Sequence, residues 1–96
     1  MILKAVQLSF LLLISISALA QLEKSDFYSH QSHYYFDQDR WNEAELYADS
    51  AILMAIRSNI PDSIANAYAW MYEVHVARRD FQKALNDLKM LTSYRD

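Results

Sequence analysis

Glycine and cysteine are absent from this chain of 96 residues, and proline occurs once. The lack of glycine excludes a glycine-rich phosphate-binding loop and a dinucleotide-binding fingerprint. The lack of cysteine excludes a disulfide framework, a thiolate nucleophile and a cysteine-based zinc site. Hydrophobic residues make up 53% of the chain. With almost no helix breakers, this composition predicts one small all-α domain.

Positive charge is also scarce, because nine basic residues face twelve acidic ones and leave a net charge of −3. Arg78 and Arg79 are the only adjacent basic residues. Two such residues do not form the basic surface that phosphate binding needs. We therefore expect no nucleic-acid partner, and no residue pattern indicates a cofactor.

The N-terminal segment 1–20 differs in composition from the rest of the chain. Lys4 is the only charged residue before Glu23, and an apolar run ends in Ala18-Leu19-Ala20. These are the parts of a secretory signal peptide, and the run is shorter than the roughly 20 residues of a bilayer-spanning helix. The sequence predicts a signal peptide over 1–20, cleaved after Ala20, and export of 21–96 to the periplasm or the medium. The alternatives are an uncleaved membrane anchor and a buried helix.

The first half of the domain predicts two helices. Helix one covers about Ser25–Asp37, with Ser25 as its N-cap. Helix two covers about Trp41–Ser58 and has one continuous apolar stripe. Asn59 suits a left-handed C-terminal position, and Pro61 cannot continue the helix.

The second half repeats this arrangement with a period of about 40 residues, and such internal periods are typical of stacked helical repeats. Helices three and four are predicted to begin near Asp62 and Asp80, so each half is a helix–turn–helix unit. Repeat one is placed at about 25–60 and repeat two at 61–96. The residues predicted to define their packing are Tyr28, Trp41, Ala44, Ala51, Tyr68, Tyr72, Phe81, Ala84 and Leu88.

The segments 39–44 (DRWNEA) and 79–84 (RDFQKA) resemble the turn and second helix of a tetratricopeptide repeat, a family that favours Gly-Asp-Tyr/Phe-x-x-Ala there. The stretch 64–94 is similar to repeats in exported sensory regions of bacterial membrane-bound regulators. This chain departs from the family in its longer period and in turns without glycine. Asp39 and Arg79 are therefore expected to adopt left-handed backbone geometry at a modest energetic cost.

The resemblance implies stacked helix pairs whose first helices line a concave groove for segments of other proteins. Gln31 and Ser32 depart from the family pattern, which has an apolar and a small residue there. Transferred position by position, the resemblance places seven partner-binding residues in the groove: Ser29, His33, Phe36, Asp37, Asn66, Glu73 and Val76.

Side chains suited to catalysis or metal binding are few. His30 and His33 share a helix face, and the pattern favours a solvated polar face over a metal site. Glu43 and Glu45 are interpreted as solvated carboxylates, and His75 as a core or boundary residue. No Gly-x-Ser-x-Gly sequence supplies a serine nucleophile, so we expect no enzymatic activity.

Three consecutive aromatic residues occupy 34–36, and because helix positions fan out, at least one must be exposed or covered by a partner. The last helix carries Leu85, Leu88 and Leu91 on one apolar face, which we expect another helix or a partner to cover. The sequence therefore predicts an exported protein–protein interaction module, related to truncated sensors, that binds a protein or peptide or self-associates through its last helix. The alternative is a small secreted structural bundle that self-associates without a peptide groove.

Overall fold

The structure is a computed structural model that describes residues 2–95, with side chains from residue 7 onward. This part of the chain forms four helices and no strand: α1 (Ile2–Phe36), α2 (Trp41–Ser58), α3 (Pro61–Ala77) and α4 (Phe81–Arg95). The helix α1 packs against α2, and α3 packs against α4, as two antiparallel pairs. Contacts between α2 and α3 join the pairs. The prediction of an all-α fold with two helix pairs is confirmed.

The helix α1 is longer than the sequence pattern predicts. It runs for 35 residues, from the apolar segment into the first pair. The prediction that a separate helix begins at Ser25 is wrong, because Ser25 lies buried inside α1 and its Oγ donates to the Ala51 carbonyl at 2.9 Å. Residues 21–24 contain no glycine or proline that would interrupt the helix. The overhanging N-terminal part gives the molecule a length of 59 Å.

The two pairs are closed by turns of the same geometry, one in each half of the domain. Asp39 and Arg79 have φ angles of 59° and 62°, which confirms their predicted left-handed geometry. The N–H of the next residue, Arg40 or Asp80, donates to the carbonyl five residues earlier at 3.0 and 2.9 Å. This pattern is a Schellman motif, which satisfies the last carbonyls of the preceding helix.

The connection between the pairs also follows local rules. Asn59 ends α2 with left-handed geometry, as predicted, at φ 57°. Pro61 is the first residue of α3, after an extended Ile60. Asp62, where the helix is predicted to begin, therefore lies in its first turn, because the fixed φ of proline suits the first helical position.

Small side chains on α2 bring the helices close together. The four buried alanines repeat every three or four residues: Ala44, Ala48, Ala51 and Ala55. Met71 and Val74 of α3 pack with Ala48, and Ile64 and Ala67 pack with Ala55. The stacking of the two pairs therefore depends on small side chains of α2 that receive larger ones of α3.

The predicted packing residues fall into two groups. Seven of the nine are buried or half-buried: Tyr28, Trp41, Ala44, Ala51, Tyr68, Tyr72 and Ala84. Phe81 and Leu88 differ from the prediction, since they are 63% and 42% exposed. Within residues 2–95, α4 packs along α3 and meets α2 through the Lys83–Glu45 ion pair, so no helix covers these two side chains on its outer face.

Candidate functional site

A groove with a volume of about 230 Å³ lies between α1 and α3, the first helices of the two pairs. Hydroxyl, amide, carboxylate and imidazole groups provide hydrogen-bond donors and acceptors along its walls. The lining residues are Ser25, Asp26, Ser29, His33, Ser63, Asn66, Ala67 and Trp70. This composition suits a polar ligand that also presents a flat or apolar group.

The base of the groove is fixed by hydrogen bonds among three helices. The indole Nε1 of Trp70 donates to Ser32 Oγ at 2.7 Å, and Ser32 Oγ donates to the Ala44 carbonyl at 2.6 Å. The ring of Phe36 packs edge to face on the indole, with ring centroids 4.9 Å apart. Because Ser32 is fully buried and its hydroxyl is satisfied, Trp70 has little freedom to move.

One aromatic surface of the groove is the imidazole of His33. It stacks on Trp70 with ring centroids 3.5 Å apart and an angle of 15° between the planes. Its Nδ1 donates to the Ser29 carbonyl at 3.0 Å. Burial against the indole lowers the pKa of His33, the carboxylate of Asp37 opposes this, and His30 adds to it. The neutral ring therefore carries its proton on Nδ1, which leaves Nε2 as a hydrogen-bond acceptor.

The structure brings together three of the seven residues predicted to bind a partner. Ser29, His33 and Asn66 line the groove. Phe36 is half-buried and packs on the central hydrophobic cluster, where it also meets the Trp41 ring edge to face. The remaining three are exposed outside the groove lining: Asp37, Glu73 and Val76.

Sequence reasoning missed other lining residues. Ser25 is predicted only as a helix cap, and Ser63 and Trp70 are not among the residues predicted to bind a partner. A signal was present for α1, because Ser25, Ser29 and Ser32 recur at helical spacing and form one small, polar face. Ser32, the departure from the repeat family, is the residue that holds Trp70.

A second polar cluster joins α2, α3 and α4 on the other side of the stack. His75 is 6% exposed, and its two ring nitrogens contact Glu45 Oε1, at 2.7 Å, and Asp87. Glu45 also binds Arg78, and Lys83 Nζ lies 3.6 Å from it. The interpretation of Glu45 as a solvated carboxylate is wrong, whereas that of His75 as a core residue is confirmed.

This cluster shifts the acid–base behaviour of its members. Burial lowers the pKa of His75, but the hydrogen bonds to Asp87 and Glu45 outweigh burial and leave the pKa raised. Burial raises the pKa of Glu45, yet the bond to His75 and the charges of Lys83 and Arg78 leave it lowered. Burial raises the pKa of Asp87 and opposes its ionisation, although its bond to His75 works against that shift. The shifts of His75 and Glu45 favour their charged forms, so the cluster is an ionic crosslink between three helices.

The tyrosines of the first pair form a continuous stack. Tyr47 of α2 lies between Tyr28 and Tyr35 of α1, at centroid distances of 6.2 and 5.4 Å. Tyr34 is 59% exposed. This confirms that the three consecutive aromatic residues at 34–36 cannot all face the core.

Two further features bear on chemistry and location. In the described part of the chain, no group of three histidine or acidic side chains could hold a metal ion. One helix there, over 7–36, is long and apolar enough to cross a membrane. By length, composition and its place near the N-terminus, it fits either a signal sequence or a membrane span.

Comparisons with models of known protein families, with curated proteins and with solved structures find no match to this chain.

Proposed function

We propose that the chain is an exported, non-enzymatic protein–protein interaction module of two tetratricopeptide-like repeats. It binds an extended peptide segment of a partner in the groove between α1 and α3. The observation that carries this proposal is the groove itself, where polar side chains of both helices flank the stacked rings of His33 and Trp70.

The chemistry of the groove matches that of a peptide main chain. Ser29 and Asn66 offer donors and acceptors to peptide N–H and carbonyl groups, and the His33 Nε2 accepts one more hydrogen bond. The aromatic surface suits an apolar or proline side chain of the ligand. Because Trp70 is already held by Ser32, binding costs little ordering of the groove.

Export is part of the proposal. The side chains of 7–20 are almost all exposed, and the first buried one belongs to Ser25. Removal of 1–20 would therefore take no described core residue from the fold. When the full chain is expressed in bacteria, the recovered product is expected to begin at Gln21 by mass spectrometry. An intact chain in the membrane fraction would contradict cleavage and support an anchor.

Peptide binding can be tested on the full chain with a short C-terminal affinity tag, purified from the cells. The probe is a library of random peptides displayed on phage. We expect enriched peptides to lose at least tenfold in affinity, about 1.4 kcal/mol, in His33→Ala and Asn66→Ala.

The matched control is Leu53→Ala, because Leu53 is 47% exposed on α2 and does not line the groove. It should bind as the unmodified chain does. No enriched peptide, or peptides that bind all three variants equally, would contradict the groove as a binding site.

A second candidate function is a structural bundle that self-associates without a peptide groove. The observation in its favour is the exposed apolar face of α4, where Phe81, Leu85 and Leu88 are 63%, 46% and 42% exposed. The two candidates differ in which surface binds, so the groove variants leave this one unaffected.

A further inference from the structure

The contact between α2 and α3 provides a template for a second interface. On α2 it uses positions 45, 48, 52 and 55, which run along one helix face. On α3 the apolar contacts are Met71 and Val74, which pack with Ala48, and Ile64 and Ala67, which pack with Ala55. Through these contacts α2, the second helix of the first pair, packs against α3, the first helix of the second pair.

The equivalent face of α4 is uncovered. One repeat period after the α2 positions stand Leu85, Leu88, Thr92 and Arg95. All four side chains are exposed, and those of the two leucines are 46% and 42% exposed. The face of α2 that binds α3 therefore corresponds to a face of α4 that is apolar at its centre and exposed.

The equivalent face of α1 is uncovered as well. One repeat period before Ile64, Ala67, Met71 and Val74 stand Lys24, Phe27, Gln31 and Tyr34. Phe27 and Tyr34 are 57% and 59% exposed, lie two helical turns apart, and so share one side of the helix. Large exposed aromatic residues at this spacing are typical of an interface.

We propose that a second copy of this chain covers α4, with its α1 on the face of α4 that corresponds to the α3-binding face of α2. The contact is head to tail, because it joins the last helix of one copy to the first helix of the next. The repeat relation identifies the occupant. Leu88 corresponds to Ala48, and Tyr34 corresponds to Val74, which packs with Ala48 in the contact between the pairs. Such an interface leaves both ends of an assembly open, so copies can add in a row.

The absence of cysteine makes this contact directly testable in the full chain. Leu88→Cys and Tyr34→Cys variants, with tags of different mass, are co-expressed, and the cells are permeabilised and treated with copper-phenanthroline as oxidant. Cross-linking in cells works whether residues 1–20 are removed or retained. Both positions are exposed within one chain, so neither substitution disturbs the core.

We expect a disulfide-linked dimer of mixed mass from the two variants together, and little dimer from either alone. The double variant should give a ladder of linked copies. The control pair Leu46→Cys with Tyr34→Cys should give no mixed dimer, because Leu46 is 62% exposed on α2 and has no place in the contact. Adding Leu85→Glu to the Leu88→Cys chain should abolish the mixed dimer.

Three results would overturn the proposal. Dimers of Leu88→Cys with itself would show a symmetric contact between two α4 helices. Equal linking of the Leu46 control would indicate random collision. No cross-link in any combination, with both proteins present by immunoblot, would show that another molecule or solvent covers α4. None of these results bears on the peptide groove, which lies between α1 and α3.

Discussion

The two helix pairs share the geometry of their turns and differ in the side chains beside them. In the first pair Tyr35 stacks on Tyr47 with ring centroids 5.4 Å apart. At the same two positions in the second pair, His75 and Asp87 form a hydrogen-bonded ion pair. The main-chain hydrogen bonds that close the turns are nearly equal, at 3.0 and 2.9 Å. The turn is thus fixed by the main chain, and the neighbouring side chains can differ in chemistry.

The difference has a functional side. An aromatic stack gains its energy from surface burial and ring geometry, so it changes little between pH 5 and 8. The imidazole of His75 can donate to both Asp87 and Glu45 only when it is protonated, because a neutral ring carries a single N–H. We therefore expect the second pair, and not the first, to respond to the pH of its compartment.

The exposed ion pairs that follow the two turns also differ, but this difference matters little for stability. Arg40 binds Glu43 at 2.9 Å in the first pair, and Lys83 lies 3.7 Å from Asp80 in the second, so the order of the charges is reversed. These side chains are largely exposed, and exposed ion pairs contribute little to stability. The comparison between Tyr35–Tyr47 and His75–Asp87 is the informative one.

The largest expected effect follows from removal of Asp87. The Asp87→Ala variant leaves the buried imidazolium of His75 with Glu45 as its remaining carboxylate contact and removes the direct link to α4. We expect a loss of about 3 kcal/mol in the free energy of unfolding, measured by urea unfolding with circular dichroism. The matched control is Glu73→Ala, an exposed carboxylate on α3, which should change stability by less than about 0.5 kcal/mol. Equal losses in the two variants would show that the ion pair does not hold the helices.

The corresponding change in the first pair is Tyr47→Ala. This variant removes the ring that stacks on both Tyr28 and Tyr35. Because Tyr47 is only half-buried, we expect a loss of about 2 kcal/mol, below the range for fully buried aromatic residues. The Tyr47→Phe control keeps both stacks and should match the unmodified chain. A loss in Tyr47→Phe as large as that in Tyr47→Ala would assign the effect to the hydroxyl group instead.

A smaller effect is the pH dependence of stability. The pKa of His75 is raised in the folded chain, mainly because its bonds to Asp87 and Glu45 outweigh burial. Its contribution is therefore complete below the ordinary histidine pKa of about 6.5 and is lost as pH rises through the raised value. The lowered pKa of Glu45 gives the opposite limb, a contribution lost as pH falls through that value.

Urea unfolding across this range should give a falling limb on the alkaline side. The control is the double variant His75→Leu/Asp87→Leu, in which both partners become apolar and no imidazole titrates in the cluster. Its stability should be flat where that of the unmodified chain falls. The same slope in both proteins would assign the pH dependence to groups other than His75.

The sequence predicts those parts of the molecule that depend on local chemistry. The two matching turns, the left-handed Asp39 and Arg79 within them, and the buried alanines of α2 follow from spacing and backbone preferences. The end of α2 at Asn59 follows from the same rules. Such features need only a few neighbouring residues, so one sequence is enough to identify them.

The parts that it does not predict depend on contacts between distant segments. Glu45 and His75 are 30 residues apart, and Trp70 and Ser32 are 38 apart. Nothing in the local pattern distinguishes Glu45 from a solvated carboxylate such as Glu43. The continuity of α1 is not predicted for another reason. The apolar segment 1–20 has the composition of a separate signal peptide, so the predicted helix boundary falls at Ser25.

The smallest expected effect is in the two turns, where we expect the glycine variants to change stability equally. Asp39 and Arg79 both have left-handed geometry without being glycine, which costs roughly 1–2 kcal/mol relative to a relaxed backbone. Asp39→Gly and Arg79→Gly should each stabilise the chain by roughly 0.5–1 kcal/mol, because the greater freedom of unfolded glycine offsets part of the gain. The reference is Asn59→Gly, expected to change less, because asparagine is the residue that most often replaces glycine at the left-handed end of a helix. Thermal melting of the three variants would measure this. If Arg79→Gly alone gained stability, the two turns would differ in strain despite their equal hydrogen bonds, and the side chains beside them would then contribute to fixing the turn.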